Sequence, residues 1–396
     1  MDVRVFRLRE VGTIYDGPHA TPDRSDSGPY YLNISSLVQG RLVLENSDHV
    51  SEDVFRKRVR RVEPQGGDLL FSYETRLGEA ALFPAGIRAC LGRRMGLIRP
   101  HREVVDPSFL LYLYLGPDVQ RTIATNSVHG ATVDRISLST MGDWLVRLPS
   151  LPEQRRISSV LRSLDEKISA NNEVMKSVIH LLGLKFEHAV RMAEPRDSFG
   201  ALCKVGGGGT PSTKVPEYWG GDILWVTPTD LSGLSAPYLR ETAKTITDLG
   251  LSNCSSPVYP AGTILMTSRA TLGSFAVTES PAAVNQGFIA VRPRRPDLLW
   301  WVFADMVSRV PEFRSHANGV TFLELSRGCF RNLPVRLADE GLMLAYCAEA
   351  EQLHALASVL SRENKELVQL RDLLLPHLLS GRLRVRDAET IVSDVV

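Results

Sequence analysis

The sequence predicts an α+β chain: two similar strand-rich domains separated by two long antiparallel coiled-coil helices, arranged as a pseudo-two-fold repeat. Three observations predict it. Two segments carry apolar residues in 4-3 spacing over several heptads, which is the pattern of a coiled-coil seam. The segments between them hold short apolar runs bounded by Gly, Pro, Ser and Thr, which read as strands. Finally, motifs in the first half recur in the second at nearly constant offsets.

The first seam opens at Ser150-Leu151-Pro152-Glu153-Gln154. Ser150 and Glu153 have capping-box spacing, and Pro152 falls in the first turn, where its missing N–H costs nothing. Ile157, Leu161, Leu164, Ile168, Asn171, Met175, Val178 and Leu182 follow at 4-3 spacing. Asn171 is an isolated polar residue on that seam, a device that fixes register at a cost in stability. The second seam runs from about Asp339 to Leu379, with Leu353, Leu360, Leu367 and Leu374 seven residues apart and Leu356 and Leu370 between them. Asn364 lies at 4-3 spacing between Leu360 and Leu367 and is the candidate partner of Asn171. Pro376 predicts a kink or an end to the regular helix, and Ser380-Gly381 a stop. The tail beyond Arg386 shows no periodicity and is expected to fray.

Tyr30-Tyr31-Leu32-Asn33-Ile34, Leu69-Leu70-Phe71, Ile223-Leu224-Trp225-Val226 and Thr263-Ile264-Leu265-Met266 are the clearest strand candidates. Gly67 to Ser72 matches Gly262 to Thr267, and Leu77-Gly78 matches Leu272-Gly273, both at an offset of 195. Gly130-Ala131-Thr132 matches Gly319-Val320-Thr321, and Val146-Arg147-Leu148 matches Val335-Arg336-Leu337, both at 189. The boundaries that follow are 1–149 and 196–338 for the two domains, 150–195 and 339–386 for the helices, and 387–396 for a tail. A helix of ~38 residues is ~57 Å long, so the pair predicts a rigid spacer between two heads.

The chain has 396 residues and is 43% hydrophobic and 23% charged, which excludes a disordered or fibrous protein and suggests two or three domains. It has no run of about 18 apolar residues and no hydrophobic signal core between Met1 and Arg7, so the expectation is a cytoplasmic protein without a membrane partner. Cys90, Cys203, Cys254, Cys329 and Cys347 form no Cys-x-x-Cys pair, so reduced thiols are expected rather than disulfides or zinc.

Gly206-Gly207-Gly208-Gly209-Thr210-Pro211-Ser212-Thr213 lacks the Gly-Lys-Ser/Thr ending of a phosphate-binding loop. It reads instead as a flexible loop contacting a ligand backbone. No dinucleotide fingerprint, nucleophile elbow or His-Glu-x-x-His motif occurs, and no catalytic or metal-binding set is expected. What is present suits nucleic acid. Arg56-Lys57-Arg58-Val59-Arg60-Arg61 holds five cations in six positions; Arg93, Arg94 and Arg99 follow, then Arg292, Arg294 and Arg295 in the second domain. Arg and Lys suit phosphates, while Arg, Asn, Gln, Ser and Thr read base edges. Each basic cluster is equally readable as a solvated, salt-bridged surface.

At these residues the chain resembles the specificity (S) subunit of type I restriction–modification enzymes, over essentially its whole length. Leu148-Pro149-Ser150-Leu151-Pro152-Glu153-Gln154-Arg155-Arg156-Ile157, with Leu164-Asp165-Glu166-Lys167-Ile168 and Asn171-Asn172, looks like the start of the family's central conserved helix. Gly208 to Ser212 with Pro216 to Ile223 resembles the opening of many target-recognition domains, and Leu370 to Pro376 with Leu379-Ser380-Gly381 the end of the distal conserved helix. The second helix departs from the pattern, opening Leu337-Ala338-Asp339-Glu340-Gly341 without Leu-Pro-x-Glu-Gln. The resemblance implies a non-catalytic subunit with two target-recognition domains, each reading one half of a split site in double-stranded DNA. It implies that the helices set the spacer and dock two methyltransferase (M) subunits, which carry S-adenosylmethionine and methylate adenine N6. Motor–nuclease (R) subunits would join to cleave unmodified DNA. This chain would bind no cofactor.

The candidate DNA contacts are Tyr73, Arg76, Arg93, Arg94, Gly130 and Thr132 in the first domain. In the second they are Thr210, Ser212, Thr213, Lys214, Ser268, Arg269, Gly319 and Thr321. Two alternatives stay open: a fused methyltransferase or nuclease of type II-like organisation, and a helical scaffold. The first would need a cofactor glycine motif and an Asn/Asp-Pro-Pro-aromatic motif, and neither is found. The second would lack a steep salt dependence of DNA binding. The net charge of +1 divides into +1 for residues 1–149, +1 for 150–198, +3 for 199–337 and −4 for 338–396. The acidic excess lies on the distal helix and tail, so weak DNA binding by the isolated chain is expected.

Overall fold

Leu69-Leu70-Phe71 and Ile264-Leu265-Met266 are apolar without alternation because their strands are buried on both faces. The computed structural model describes residues 3–129, 133–191, 193–234, 236–269, 271–319 and 323–396. The chain forms two units, residues 1–168 with 366–396 and residues 169–365.

In the first unit a four-stranded antiparallel sheet has the order Gly12–Asp16, Met95–Pro100, Leu69–Ser72, Ala80–Leu82. A three-stranded sheet follows the order Asp48–His49, Ser25–Leu32, Ala89–Leu91, the last pairing being parallel. Successive side chains on a strand point to opposite faces. Leu70, Ala81 and Leu97 therefore join Leu32, Ala89 and Leu91 in one core, while Leu69, Phe71, Ala80 and Ile98 join the helical layer in another. That layer includes Pro107–Leu115, whose first turn is capped by Asp106 accepting from the Phe109 N–H at 3.0 Å.

The second unit repeats this order: Cys203–Gly206, Phe288–Pro293, Ile264–Thr267, Phe275–Thr278 in one sheet, and Thr245–Ile246, Trp219–Val226, Ala282–Val284 in the other. It adds one short strand, Tyr238–Leu239, parallel to Phe275–Thr278. Leu265, Ala276 and Ala290 face the second sheet, and Ile264, Met266, Val277 and Ile289 face the helices. The offsets read from the sequence are thus offsets between corresponding strands.

The two long helices span Leu151–Val190 and Glu340–Leu379. In the first unit Ile157, Leu161, Leu164 and Ile168 share a buried cluster with Leu367, Leu374 and Leu378. In the second, Met175, Val178 and Leu182 cluster with Met343, Cys347, Ala350 and Ala357. Here the buried stripe of the distal helix is Ala350, His354, Ala357 and Asn364; Leu353 and Leu360 lie half-buried beside it, and Leu356 is 45% exposed. Alanines, a histidine and an asparagine occupy the buried stripe, so a pattern read from leucines alone is displaced from it. Asn171 and Asn364 are both buried; Asn171 Nδ2 donates to Asn364 Oδ1 at 2.9 Å and to Glu363 Oε2 at 2.8 Å, and Asn364 Nδ2 donates to Asn172 Oδ1 at 2.9 Å.

One expectation is corrected. The segment beyond Arg386 does not fray: a helix covers Val385–Ser393, with Val385, Ala388 and Val392 buried in the first unit's core. Three apolar residues at 3-4 spacing are too few to register as a heptad but suffice for one packed face. The distal helix runs through Pro376 to Leu379 and stops at the expected Ser380-Gly381, where Gly381 has φ of +69°.

Candidate nucleic-acid interface

In each half the structure brings the segment that follows the Gly67–Ser72 or Gly262–Thr267 motif against a hairpin from late in the domain. In the first unit the turn after Leu69–Ser72 meets the hairpin of Ser127–His129 and Asp134–Ile136. Ile136 N donates to Tyr73 O at 2.8 Å, Thr75 N donates to Asp134 O at 3.0 Å, and Glu74 pairs with Arg135 as an isolated bridge. A second turn joins them, with Tyr73 N donating to Arg94 O at 3.1 Å. In the second unit Leu325 N donates to Ser268 O at 3.0 Å, Ser268 N to Gly287 O at 2.8 Å, and Arg269 bridges to Glu324. The Leu-Gly repeat itself is a turn requirement. Gly78 and Gly273 have φ of +88° and +97°, and a Cβ would meet Gln120 at 2.3 Å and Val310 at 2.5 Å.

Two residues here hold an unusual backbone. Thr75 and Arg94 have φ of +70° and +75°, a region that a β-branched residue adopts only under constraint. Their side chains meet, Arg94 Nη1 donating to Thr75 Oγ1 at 3.3 Å, and Arg94 also pairs with Glu74 at 3.0 Å. Tyr73 is 5% exposed, and its hydroxyl has no hydrogen-bond partner among the described residues. Burial, then Asp16 and Glu74, raise its pKa and keep it a neutral donor. Arg93 is exposed. Arg76 turns inward, donating to Ile34 O at 3.2 Å and pairing with Glu79 at 2.9 Å. Gly130 and Thr132 lie outside the described residues, as does Thr321.

In the second unit Ser268 is 3% exposed and acts through its backbone, while Arg269 and Glu324 pair on the surface at 2.9 Å. Gly319, exposed, has φ of +141° on the same hairpin, which Asn318 and Glu324 close with mutual N–H to carbonyl bonds of 2.9 and 3.0 Å. The glycine run does not form the expected flexible loop. A Cβ on Gly208 would lie 1.7 Å from Val284 O, Gly209 N donates to Val284 O at 3.1 Å, and Tyr259 Oη donates to Gly207 O at 2.6 Å. The glycines are there for close backbone packing. Beyond them Thr210, Ser212, Thr213 and Lys214 are exposed. Thr210 Oγ1 donates to Gln286 Oε1 at 2.6 Å, and Ser212 O accepts from Trp219 Nε1 at 3.2 Å.

The basic runs divide on inspection. Arg58 is buried, donating to the carbonyls of Pro18, Ala20 and Leu91 at 2.7–3.0 Å, and Arg61 pairs with Asp16. Arg99 pairs with Asp68, and Arg295 with Asp297 and Glu340. Arg58 and Arg99 therefore serve their own domain's interior, while Arg61 and Arg295 are committed to surface pairs. The sequence reading missed Glu74, Arg135 and Glu324, which the two offsets would have found beside the repeated motifs. Among the described residues no group of His, Cys, Asp and Glu forms a metal site, and no helix is long and apolar enough to cross a membrane.

The chain matches the family described as type I restriction modification DNA specificity domain over residues 1–179 and 198–338. It is 37% identical to the type I restriction enzyme MjaIX specificity subunit of Methanocaldococcus jannaschii over 138 residues, which cover 34% of this chain and 32% of that relative. The putative type I restriction enzyme MjaX specificity subunit of the same organism is 20% identical, with 97% of this chain and 94% of the relative covered. The crystal structure of the type I restriction–modification system S subunit from M. genitalium shares the fold, with a TM-score of 0.58 at 14% identity over 95% of this chain and 96% of that one. The chain belongs to the type I restriction–modification DNA specificity family. It is the subunit that confers DNA specificity, with two target-recognition domains and a coiled-coil helical pair.

Proposed function

We propose that this chain reads a bipartite, non-palindromic site in double-stranded DNA, one half with each strand-rich domain. The observation that carries this is the duplicated site. Two domains of one topology each bring a turn and a hairpin, far apart in sequence, to one surface, with different side chains at corresponding positions. Shared topology presents a duplex with the same framework, and different side chains select different bases. The helical pair sets the unread spacer and docks two M subunits, which carry S-adenosylmethionine and methylate adenine N6. R subunits join them to cleave unmodified DNA in the cytoplasm. This chain supplies no catalytic group and no cofactor site. The near-neutral charge, with many arginines committed to internal pairs, supports weak binding by the chain alone, the M subunits supplying much of the phosphate contact.

Replacing residues 1–149 by the first domain of another specificity subunit tests this. With M subunits present, methylation mapping should show one half-site changed and the other kept. A change in both halves, or in neither, would overturn the two-reader arrangement.

A further inference from the structure

The offsets that relate the halves also relate residue 74 to residue 269 and residue 135 to residue 324. Each couple forms the same isolated antiparallel bridge, Glu74 opposite Arg135 and Arg269 opposite Glu324. The charges are exchanged: the acid is on the turn and the base on the hairpin in the first domain, and the reverse holds in the second. Neither couple is required by the core beneath it. The bonds that hold turn to hairpin are made by the backbones of Tyr73 and Ile136, and of Ser268 and Leu325. Arg269 and Glu324 are 45% and 44% exposed, and Arg135 is exposed. A surface ion pair of this exposure contributes little to stability.

The surroundings differ in a way that matters for recognition. In the first domain Glu74 forms its ion pair with Arg94 and stands opposite Arg135 across the bridge, so two guanidinium groups flank that carboxylate. In the second domain the residue that bonds the turn in place of Arg94 is Gly287, and Arg269 pairs with Glu324 itself. An Arg beside a Glu presents a fork of donors next to an acceptor. In the major groove a G·C pair presents the complement: acceptors at guanine N7 and O6, and beside them a donor at cytosine N4.

Resting on the reading of each domain as the recogniser of one half-site, we infer that Glu74 with Arg135 and Arg269 with Glu324 are specificity-determining couples. Each reads a G·C pair, and the exchange of charge between turn and hairpin reverses the orientation in which the pair is accepted. Arg269 donates to guanine and Glu324 accepts from cytosine in the second half-site. In the first, Arg135 takes the guanine from the hairpin side.

The test uses the complete complex with its M subunits and maps methylated sites by sequence. R269E/E324R keeps an opposite-charge couple and exchanges its direction. It should turn one G·C of the second half-site into C·G and leave the first half-site unchanged. R269K keeps the ion pair but loses the fork, and should lower discrimination at that one position by about 10-fold or more. Unchanged second half-sites in both variants would overturn the inference. If the double variant loses both half-sites, it has lost its fold, and R269K alone then decides. If the wild-type complex shows no bipartite site at all, the two-domain reading fails instead, and that outcome is distinct.

Discussion

The two units share a topology and fasten it to their helices with different chemistry. In the first, the fastening is polar. Tyr112 Oη donates to Asp165 Oδ2 at 2.6 Å, Arg371 Nη1 donates to Asp165 Oδ1 at 2.8 Å, and Arg41 Nη2 donates to the Asp165 carbonyl at 2.7 Å. One carboxylate thus joins a domain helix to both long helices. In the second, an aromatic cluster is added to polar bonds, Arg240 Nη2 donating to Ser358 O at 2.8 Å and Trp300 Nε1 to Glu351 Oε2 at 2.5 Å. His354 stacks on Trp300 at 3.6 Å, meets Phe303 edge-on at 5.7 Å, and hydrogen-bonds Tyr238 Oη through Nδ1 at 2.8 Å. Burial lowers the His354 pKa to about 4, so the ring packs as a neutral group.

The helix starts differ in the same sense. Gln154, 1% exposed, accepts from Asp106 N at 2.9 Å and donates to Val104 O and Pro149 O at 3.1 and 2.9 Å. Its counterpart at the repeat offset is Met343, buried in the apolar cluster. Topology was retained through the duplication while the contacts that secure it were replaced, because any complementary set that buries the same faces serves.

The strongest test of this contrast is Asp165→Ala. It leaves the Tyr112 hydroxyl and the Arg371 guanidinium half-buried without their shared acceptor, and should destabilise the first unit by about 3 kcal/mol. Hydrogen exchange would show it as lost protection in Pro107–Leu115 and residues 366–379. His354→Leu leaves the buried Tyr238 hydroxyl without its partner and should cost about 1–2 kcal/mol; a larger loss than for Asp165→Ala would erase the distinction.

A pH series separates the units next. The folded pKa of His354, about 4, lies below the ordinary histidine value of 6.5, so the unfolded chain binds more protons between the two. Its stability contribution is present above about pH 6.5 and is lost as pH falls toward 4. Between pH 7 and 5 the second unit should lose about 2 kcal/mol, and His354→Gln should flatten that slope. An unchanged slope in urea titrations of the variant would show that other groups carry the pH dependence.

Smaller effects probe features common to both units. Asn364→Ala removes a buried bond and leaves Asn171 with Glu363 alone, and should cost about 1–2 kcal/mol by denaturant midpoint. Val392→Ala in the terminal helix should cost about 1 kcal/mol, with the exchange change confined to the first unit. No shift there would mean the terminal helix contributes little packing.

Much of the site was legible only as placement. The offsets located the turns and hairpins of both domains because the glycines of Leu-Gly are demanded by local φ and close contact, which any sequence must satisfy. The roles of single arginines were not legible: Arg58 lies buried against three carbonyls, while Arg93, one of two adjacent arginines, lies exposed. Composition treats them alike, and only the position of the acceptors tells them apart.

By itself the sequence determined the long helices, the doubled domain and the alignment of Asn171 with Asn364. These follow from periodicity and repetition, which are properties of the chain as written. Tertiary structure alone decided three things: that a short apolar triplet near the end packs as a helix, that the buried stripe of the distal helix in the second unit runs through alanines beside its leucines, and that exchanged Arg and Glu stand opposite each other across corresponding bridges. Each depends on which surfaces meet in space, and residues more than fifty positions apart carry no local signal of that meeting.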